Sequence, residues 1–445
     1  MPFSSFGLDP LLLRGIRELG FTRPTPIQEQ SIPPAMAGKD LLACAATGSG
    51  KTAAFGLPIL HRLMGKPRRT TRALILTPTR ELAAQIDAHL GELAVHTPVT
   101  SAAVFGGVGM GPQEHALRAG VDVIVATPGR LLDHFRHSYA ALKGLEILVL
   151  DEADRMLDMG FLPDIKRVLR HVPAKRQTLF FSATLPAPIV ALSREMLREP
   201  ATINLDRRAA PAVGITQAAY PVDAKLKPAL LLALLRRGDM KSALVFTRTK
   251  HRANRLADWL ERQGVRAARI HGNRSQSQRT LALEGFKAGR YDVLVATDIA
   301  ARGIDVVALG HVVNFDVPAA SEDYIHRVGR TGRAELTGEA FTFVAPEDEQ
   351  DLRAIERALG KPLPRVLLPD FDYRQKLPEA PPARHEAHPR HAPQGRPRRQ
   401  GGGPSRGRSE PQGAWASRLQ ADAPRAAGHV RGAGRTTRSF RPRGR

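Results

Sequence analysis

Short runs of Leu, Val, Ile and Ala recur along the first 370 residues, and between them apolar residues return every three or four positions. Nothing else in the chain constrains its fold as much. Apolar runs of this length suit strands buried on both faces, and helical crossovers between them give parallel sheets built from βαβ units. The first series predicts strands at Asp40–Ala46, Arg72–Thr77, Val121–Ala126, Leu145–Leu150, Gln177–Phe181 and Ala201–Leu205. The stretch Asp206–Thr216 (DRRAAPAVGIT), rich in small residues and Pro, then breaks the pattern and reads as an interdomain linker. A second series follows at Ser242–Thr247, Ala267–His271, Asp292–Ala296, Val312–Phe315 and Ala340–Val344, with helices expected at Arg252–Gln263 and Gln350–Leu359. The expectation is an α/β chain of two parallel-sheet domains, residues 1–205 and 217–368, facing each other across a cleft.

Beyond residue 368 the pattern stops. From Phe371 to Arg445 there are 16 Arg and one Lys against five acids, which is +12 of the chain's net +23. Ten Gly and ten Pro among those 75 residues predict a disordered Arg/Gly/Pro-rich extension, 369–445. Arg forks pair with phosphates and stack on bases, so the extension reads as a nucleic-acid tether. A solubilising tail is the alternative, although solubility alone does not call for Arg over Lys. Cys44 is the only cysteine, which excludes an intramolecular disulfide and suits a reducing compartment. MPFSSFGLDP lacks the features of a secretory signal, and the longest apolar run, Pro228–Leu235, falls short of the roughly 20 residues that span a bilayer. A cytoplasmic protein is expected.

Ala45–Thr52 (AATGSGKT) stands between an expected strand and a helical stretch. In such a loop the backbone N–H groups point at phosphates from a helix N-terminus, Lys51 reaches the β- and γ-phosphates, and the Thr52 hydroxyl ligates Mg²⁺. A flexible Gly/Ser turn is the bland reading. It does not account for strand, loop, GKT and helix occurring in that order. Leu145–Leu150 runs into Asp151, Glu152, Ala153 and Asp154. An acid at a strand end beside a phosphate loop suits Mg²⁺ coordination by Asp151, and Glu152 is placed to deprotonate an attacking water. Alone, these acids would merely favour the helix that follows. In the second half HRVGRTGR (His326–Arg333) sets Arg327, Arg330 and Arg333 at three-residue spacing. On a helix this spacing puts them on one face, which would serve to stabilise charge on a transferring phosphoryl group or to form a basic solvated surface.

These segments together resemble the DEAD-box ATP-dependent RNA helicases. GFTRPTPIQ (Gly20–Gln28), PTREL (Pro78–Leu82), Gly106–Gly107, TPGR (Thr127–Arg130) and SAT (Ser182–Thr184) occur in order. VFTRT (Val245–Thr249), QSQR (Gln276–Arg279) and ATDIAARGID (Ala296–Asp305) continue the series. The compact core and Arg-rich tail look most like the bacterial RhlE-type subgroup.

The resemblance implies two tandem RecA-like domains, ATP and Mg²⁺ as cofactors, and RNA-stimulated ATP hydrolysis coupled to local unwinding of short duplexes or remodelling of RNA–protein complexes. It implies catalytic roles for Lys51, Asp151, Glu152, Arg330 and Arg333. Nucleotide contacts are implied for Phe3, Phe21, Gln28, Ala46, Thr47, Gly48, Ser49, Gly50, Thr52, Gly303 and Asp305, with Gln28 both donating to and accepting from the adenine edge. Thr52 and Asp151 would hold Mg²⁺ through ATP. RNA would meet Arg80, Gly107, Thr127 and Arg130 in the first domain and Thr247, Gln276, Arg279 and Thr297 in the second, through phosphates and 2′-hydroxyls. Ser182 and Thr184 would couple hydrolysis to strand separation. Implied partners are RNA, with ribosomal precursors or the RNA-decay machinery among the candidates, and no membrane. One departure stands out: Ala46 occupies a position where the family usually has Gln, so its backbone N–H remains but any contact of that side chain is lost. An RNA chaperone with a vestigial core and a DNA helicase are the competing readings. Intact Lys51, Glu152, Arg330 and Arg333 speak against the first, and the family resemblance against the second.

Overall fold

A computed structural model of the chain describes residues 2–46, 48–66, 69–205, 215–238, 240–301, 309–331 and 338–374. Its strands form two sheets in which every pairing is parallel. The first sheet comprises β1 (Leu41–Cys44), β2 (Ala73–Leu76), β3 (Ser101–Val104), β4 (Val123–Ala126), β5 (Ile147–Leu150), β6 (Gln177–Ser182) and β7 (Ala201–Asn204). The second comprises β8 (Ile215–Pro221), β9 (Ala243–Phe246), β10 (Ala267–Ile270), β11 (Val293–Ala296), β12 (His311–Asn314) and β13 (Gly338–Val344). The strand orders are β3-β4-β2-β5-β6-β1-β7 and β10-β11-β9-β12-β13-β8.

Successive side chains of a strand point to opposite faces, and here both faces are covered. Ala73, Ile75, Val123, Val125, Ile147 and Val149 join one core with the helix Lys51–Met64, while Leu74, Leu76, Ile124, Ala126, Leu148 and Leu150 join another with Met156 and Ile165. The second sheet is divided in the same way, with Ala243, Val245, Val293 and Val295 on one face and Leu244, Phe246, Leu294 and Ala296 on the other. Caps set where helices begin. Thr79 Oγ1 accepts from Leu82 N–H at 3.2 Å to open Arg80–Leu93. Ser275 and Gln278 exchange side-chain-to-backbone bonds of 3.3 and 3.1 Å to open Gln276–Lys287. Loss of such a cap costs about 1 kcal/mol.

The strands expected from the sequence form, mostly trimmed by one or two residues at the ends. Two strands had no counterpart in that reading. In β3 three of the four residues are half-exposed Ser and Ala, so no apolar run marks this edge strand. In β8 (ITQAAYP) Ile215 and Thr216 fall within the expected linker, yet they pair with Gly338 and Glu339 of β13. The sheet thus begins at Ile215, and residues 206–214 lie outside the described ones. The second domain also runs past residue 368. Val366 N–H bonds Ala219 O at 2.9 Å, Leu368 N–H bonds Tyr373 Oη at 2.8 Å, and Phe371 and Tyr373 pack on the second domain's core. Residues 375–445, nearly all of the expected tail, lie outside the described residues.

Candidate functional site

Sheet order assembles the site. In a parallel sheet the loops that follow the strands share one edge, where ligands of open α/β folds bind. The order β5-β6-β1 sets the DEAD turn, the SAT turn and the phosphate loop side by side, while β3-β4-β2 does the same for the GG, TPGR and PTREL segments. The ligand edge of the first sheet therefore has two ends with different sets of side chains.

At the first end, Ala45 N–H donates to Ser182 O (2.9 Å), tying the start of the phosphate loop to the SAT turn. Gly50, with φ +94°, turns the chain into the helix Lys51–Met64, a left-handed conformation that favours Gly. A Cβ there would strike Gln28 Nε2, because Gln28 Nε2 donates to Gly50 O at 3.0 Å while its Oε1 accepts Thr25 N–H at 2.9 Å. The Gln28 amide thus ties its own helix start to the phosphate loop, and each bond uses one N–H or one lone pair of an amide that has two of each. Phe3 is buried and stacks on Phe21 at 6.3 Å, so both rings pack against the first domain's core. Lys51 is buried and its Nζ donates to Ala45 O at 3.1 Å. Ala46 and Gly48 are exposed, Ser49 and Thr52 half-buried, and Thr47 lies outside the described residues.

Asp151 and Glu152 follow β5 and are each 3% exposed. Burial pushes the Asp151 carboxyl up to about 6 despite the pull of Lys51. Burial also raises Glu152, but Arg155, Lys51 and Arg330 outweigh it and hold that carboxyl below its ordinary value. Glu152 adopts φ +53°, ψ +50°, a left-handed conformation that costs a non-glycine residue about 1–2 kcal/mol. Such strain persists where its surroundings over-determine it: Asp151 Oδ1 accepts Glu152 N–H at 3.0 Å, and Arg155 Nη1 pairs with Glu152 Oε2 at 3.1 Å. Asp154 faces the SAT turn instead. Its Oδ2 accepts Ala183 N–H (3.1 Å), Thr184 N–H (2.8 Å) and Thr184 Oγ1–H (2.9 Å), while Ser182 Oγ accepts Asp154 N–H at 3.2 Å. Ser182 and Thr184 are thereby joined directly to the acidic turn. The donor set fits Mg²⁺, a hard cation taking few protein oxygens and several from phosphate. The Asp151 carboxyl is buried beside Lys51 and Glu152, and no group of three metal-binding side chains occurs among the described residues.

From the second domain, Arg330 is 4% exposed and lines a small interdomain cavity with Arg155, Asp323 and His326. Burial and the Arg155 charge push His326 down to about 4, so it is neutral. The expected helical face of three arginines does not form. The helix Ser321–Val328 ends at Gly329, which leaves Arg330 beyond it. Arg327 is locked inside its own domain by Asp298 (2.6 and 2.8 Å), Asn314 and Asp316 O, over the Phe246 ring. Gly303, Asp305 and Arg333 lie outside the described residues.

At the other end, Arg80 is half-buried and lies over Gly106 and Gly107, the latter at φ +82°; a Cβ at Gly107 would strike its guanidinium. Arg130 Nη1 donates to Val108 O at 3.0 Å. Thr127 is buried at the start of the helix Pro128–His134. Gln113 and His134, which sequence reasoning missed, support this loop. Gln113 Nε2 donates to Phe105 O (2.9 Å), and its Oε1 lies 3.2 Å from His134 Nε2, which assigns the imidazole proton to Nε2. Burial lowers His134, in keeping with that neutral form. In the second domain Thr247 is buried at the end of β9 and Thr297 is half-buried after β11. Gln276 and Arg279 reach across the cleft: Glu81 takes Gln276 Nε2 at 2.9 Å and Arg279 Nη2 at 2.9 Å. Glu81 was also missed, although its place beside Arg80 in PTREL is visible in the sequence.

Family comparison agrees with this geometry. The DEAD/DEAH box helicase model matches residues 25–192 and the helicase conserved C-terminal domain model matches residues 226–335. The chain is 44% identical over 370 residues to the ATP-dependent RNA helicase CshA of Listeria monocytogenes, covering 83% of this chain and 71% of that one. It is 41% identical over 370 residues to CshA of Bacillus subtilis, covering 83% and 75%. Among solved structures, Saccharomyces cerevisiae Dbp5 bound to RNA and ADP BeF3 superposes with TM-score 0.76 at 32% identity, covering 82% of this chain and 95% of that one. Mss116p bound to single-stranded RNA and AMP-PNP superposes with TM-score 0.75 at 26% identity, covering 82% and 78%. The two parallel-sheet domains are RecA-like, and the chain belongs to the DEAD-box family of ATP-dependent RNA helicases.

Proposed function

We propose that the two ends of the sheet edges divide the work, ATP hydrolysis at the β5-β6-β1 end and RNA binding at the β3-β4-β2 end, and that closure of the second domain couples them. In this reading residues 45–52 cradle the ATP phosphates, with Lys51 on the β- and γ-phosphates. Gln28, with Phe21 and Phe3, recognises the adenine edge while its bond to Gly50 ties that element to the phosphate loop. Thr52 and Asp151 would hold Mg²⁺, which when bound would neutralise phosphate charge. Glu152 accepts the proton of the attacking water as ATP and water become ADP and phosphate. Arg330, with Arg333, stabilises the charge spread over the transferring phosphoryl group. Gly303 and Asp305 complete the nucleotide site from the second domain. Ser182 and Thr184 pass the state of the acidic turn onward through Asp154.

RNA backbone contacts fall to Arg80, Gly107, Thr127, Arg130, Thr247 and Thr297, with Gln276 and Arg279 serving first as the clamp on Glu81. Turnover stimulated by RNA then separates short duplexes, because one closed cleft holds one bent strand. We further assign the chain to the RhlE-type subgroup, place it in the cytoplasm, and give residues 375–445 the role of an RNA tether. No helix among the described residues is long and apolar enough to cross a membrane.

The observation that carries this reading is that second-domain residues meet the first domain at both ends, Arg330 lining a cavity with Arg155 and Arg279 pairing with Glu81. The fit to yeast Dbp5 supports it. TM-score is 0.76 against a form bound to RNA and ADP BeF3 and 0.60 against one bound to Nup159, Gle1, IP6 and ADP, at 32% and 31% identity, so the present arrangement is nearer the first. The test is Glu152→Gln. ATP binding should stay within about threefold while turnover drops at least ~10²-fold. Near-normal hydrolysis would sink the assignment of the base.

A further inference from the structure

Arg155 has no role in the reading above, and its surroundings are unusual. It is 1% exposed, among the largest fully buried side chains of the described residues. Nη1 pairs with Glu152 Oε2 at 3.1 Å, while Nε and Nη2 are buried with no hydrogen-bond partner. A buried guanidinium that serves only packing or charge balance is expected to have its donors met, since each unmet one is costly. Arg155 also borders the cavity whose other walls, Phe246, Asp298, Asp323, His326, Arg327 and Arg330, all come from the second domain. The same side chain thus touches the carboxylate assigned to the proton transfer and forms the first domain's wall toward the closing partner.

Its place follows from the local fold. Glu152 precedes the helix Ala153–Asp158 in a left-handed conformation. Arg155, three residues on, lies within reach of its carboxylate on that short helix. The backbone N–H of Glu152 is held by Asp151 Oδ1, and Arg155 Nη1 bonds its carboxylate.

We propose that Arg155 is the positioning residue for Glu152, aiming its carboxylate from the first domain, and that it is itself held in place by the second-domain wall, so that the aim is set only in the closed cleft. This rests on the reading of Glu152 as the base. Arg155 touches neither phosphate nor water in the proposal and acts through Glu152 alone.

The experiment is ATP turnover of the full chain with saturating RNA for wild type, Arg155→Gln, Arg155→Lys, Glu152→Gln and the Glu152→Gln/Arg155→Gln double variant, with thermal melting of each. Loss of aim should lower kcat of Arg155→Gln about tenfold or more, since a misplaced catalytic group loses much of its effect, while KM for ATP and for RNA changes less than about threefold. Arg155→Lys, which keeps the charge but not the planar fork, should recover about threefold of that loss and not all of it. The double variant should match Glu152→Gln within about twofold, because the two residues act as a unit. Arg155→Gln at the wild-type rate overturns the proposal, as does a further tenfold fall in the double variant or a rise in KM that tracks the loss of kcat. No recovery in a normally melting Arg155→Lys would also overturn it, by reducing Arg155 to packing. Should Arg155→Gln not fold, Arg155→Lys decides: about threefold lower kcat at unchanged KM supports the proposal, and unchanged kcat overturns it. A Glu152→Gln enzyme with normal turnover removes the base and this proposal together. An inactive Glu152→Gln beside a normal Arg155→Gln removes only the proposal.

Discussion

The two ends of the first sheet's ligand edge are built differently. At the β5-β6-β1 end the side chains are buried and tied to one another: Asp151 and Glu152 are each 3% exposed, the Asp154 carboxylate accepts three bonds from the SAT turn, and Lys51 is turned onto its own loop. At the β3-β4-β2 end Arg80 and Arg130 are half-buried, Gly107 and Val108 are exposed, and buried Gln113 and His134 hold the loop from behind. In the proposed reading the first end carries chemistry that tolerates little misplacement, and the second meets a long anionic ligand over many points. Substitutions at the first end should therefore act on kcat, and those at the second on RNA affinity.

The largest effect should fall on Arg330. Arg330→Ala is expected to lower RNA-stimulated kcat by about 10³-fold or more with ATP affinity nearly unchanged, as loss of an arginine that stabilises a transferring phosphoryl group does. Single-turnover hydrolysis beside nucleotide titration checks it, and a loss confined to affinity would erase the contrast between the ends. Next comes the ~10²-fold effect of Glu152→Gln given above.

Glu81 sharpens the comparison because it belongs to the RNA end yet is buried and binds the second domain. Glu81→Ala leaves Arg279 and Gln276 without their partner, so closure should weaken and turnover at fixed RNA should fall about tenfold. Interdomain distance by FRET with RNA and a non-hydrolysable nucleotide would reveal it. An unchanged closed fraction would confine Glu81 to the RNA end.

A smaller effect should appear with acid. His326 has its closed-state value pushed down to about 4, whereas an exposed histidine titrates near 6.5. The closed state therefore binds fewer protons, and closure is lost as pH falls from about 6.5 toward 4. Between pH 7 and 5.5 the closed fraction's equilibrium constant should drop by up to about tenfold, and His326→Gln should remove that share. An identical pH dependence in the variant would assign the effect to other groups.

Removing residues 375–445 should leave kcat within about twofold. It deletes a net charge of +12, so the log–log salt dependence of RNA affinity should flatten by as much as about 8 if every charge is engaged. A slope unchanged by truncation would make the extension a solubilising tail. The cut belongs after Arg374 and not at residue 369, where the expected extension begins, because Phe371 and Tyr373 pack on the second domain.

Most of this architecture is legible in the sequence for a physical reason. Strands buried on both faces leave continuous apolar runs such as ILVL and VLVA, and the glycine-rich loop and the acidic turn are contiguous in the chain. What escaped detection depends on tertiary pairing. β3 and β8 lack apolar runs because they lie at sheet edges or carry small and polar residues. The three-residue spacing of Arg327, Arg330 and Arg333 suggested one helical face, but the helix ends at Gly329 and leaves Arg330 beyond it. Glu81 with Arg279, and Gln113 with His134, are separated by 198 and 21 residues. No local pattern joins such pairs.

The central claim is that closure on RNA brings Arg330 to an ATP site the first domain cannot complete alone. The most direct measurement is steady-state ATP turnover of the full chain with saturating single-stranded RNA, matched DNA or no nucleic acid, for wild type and Arg330→Ala. The account predicts stimulation of about tenfold or more by RNA in the wild type, little by DNA, and none by RNA in Arg330→Ala. Equal turnover under all three conditions, or full RNA stimulation without Arg330, would contradict it.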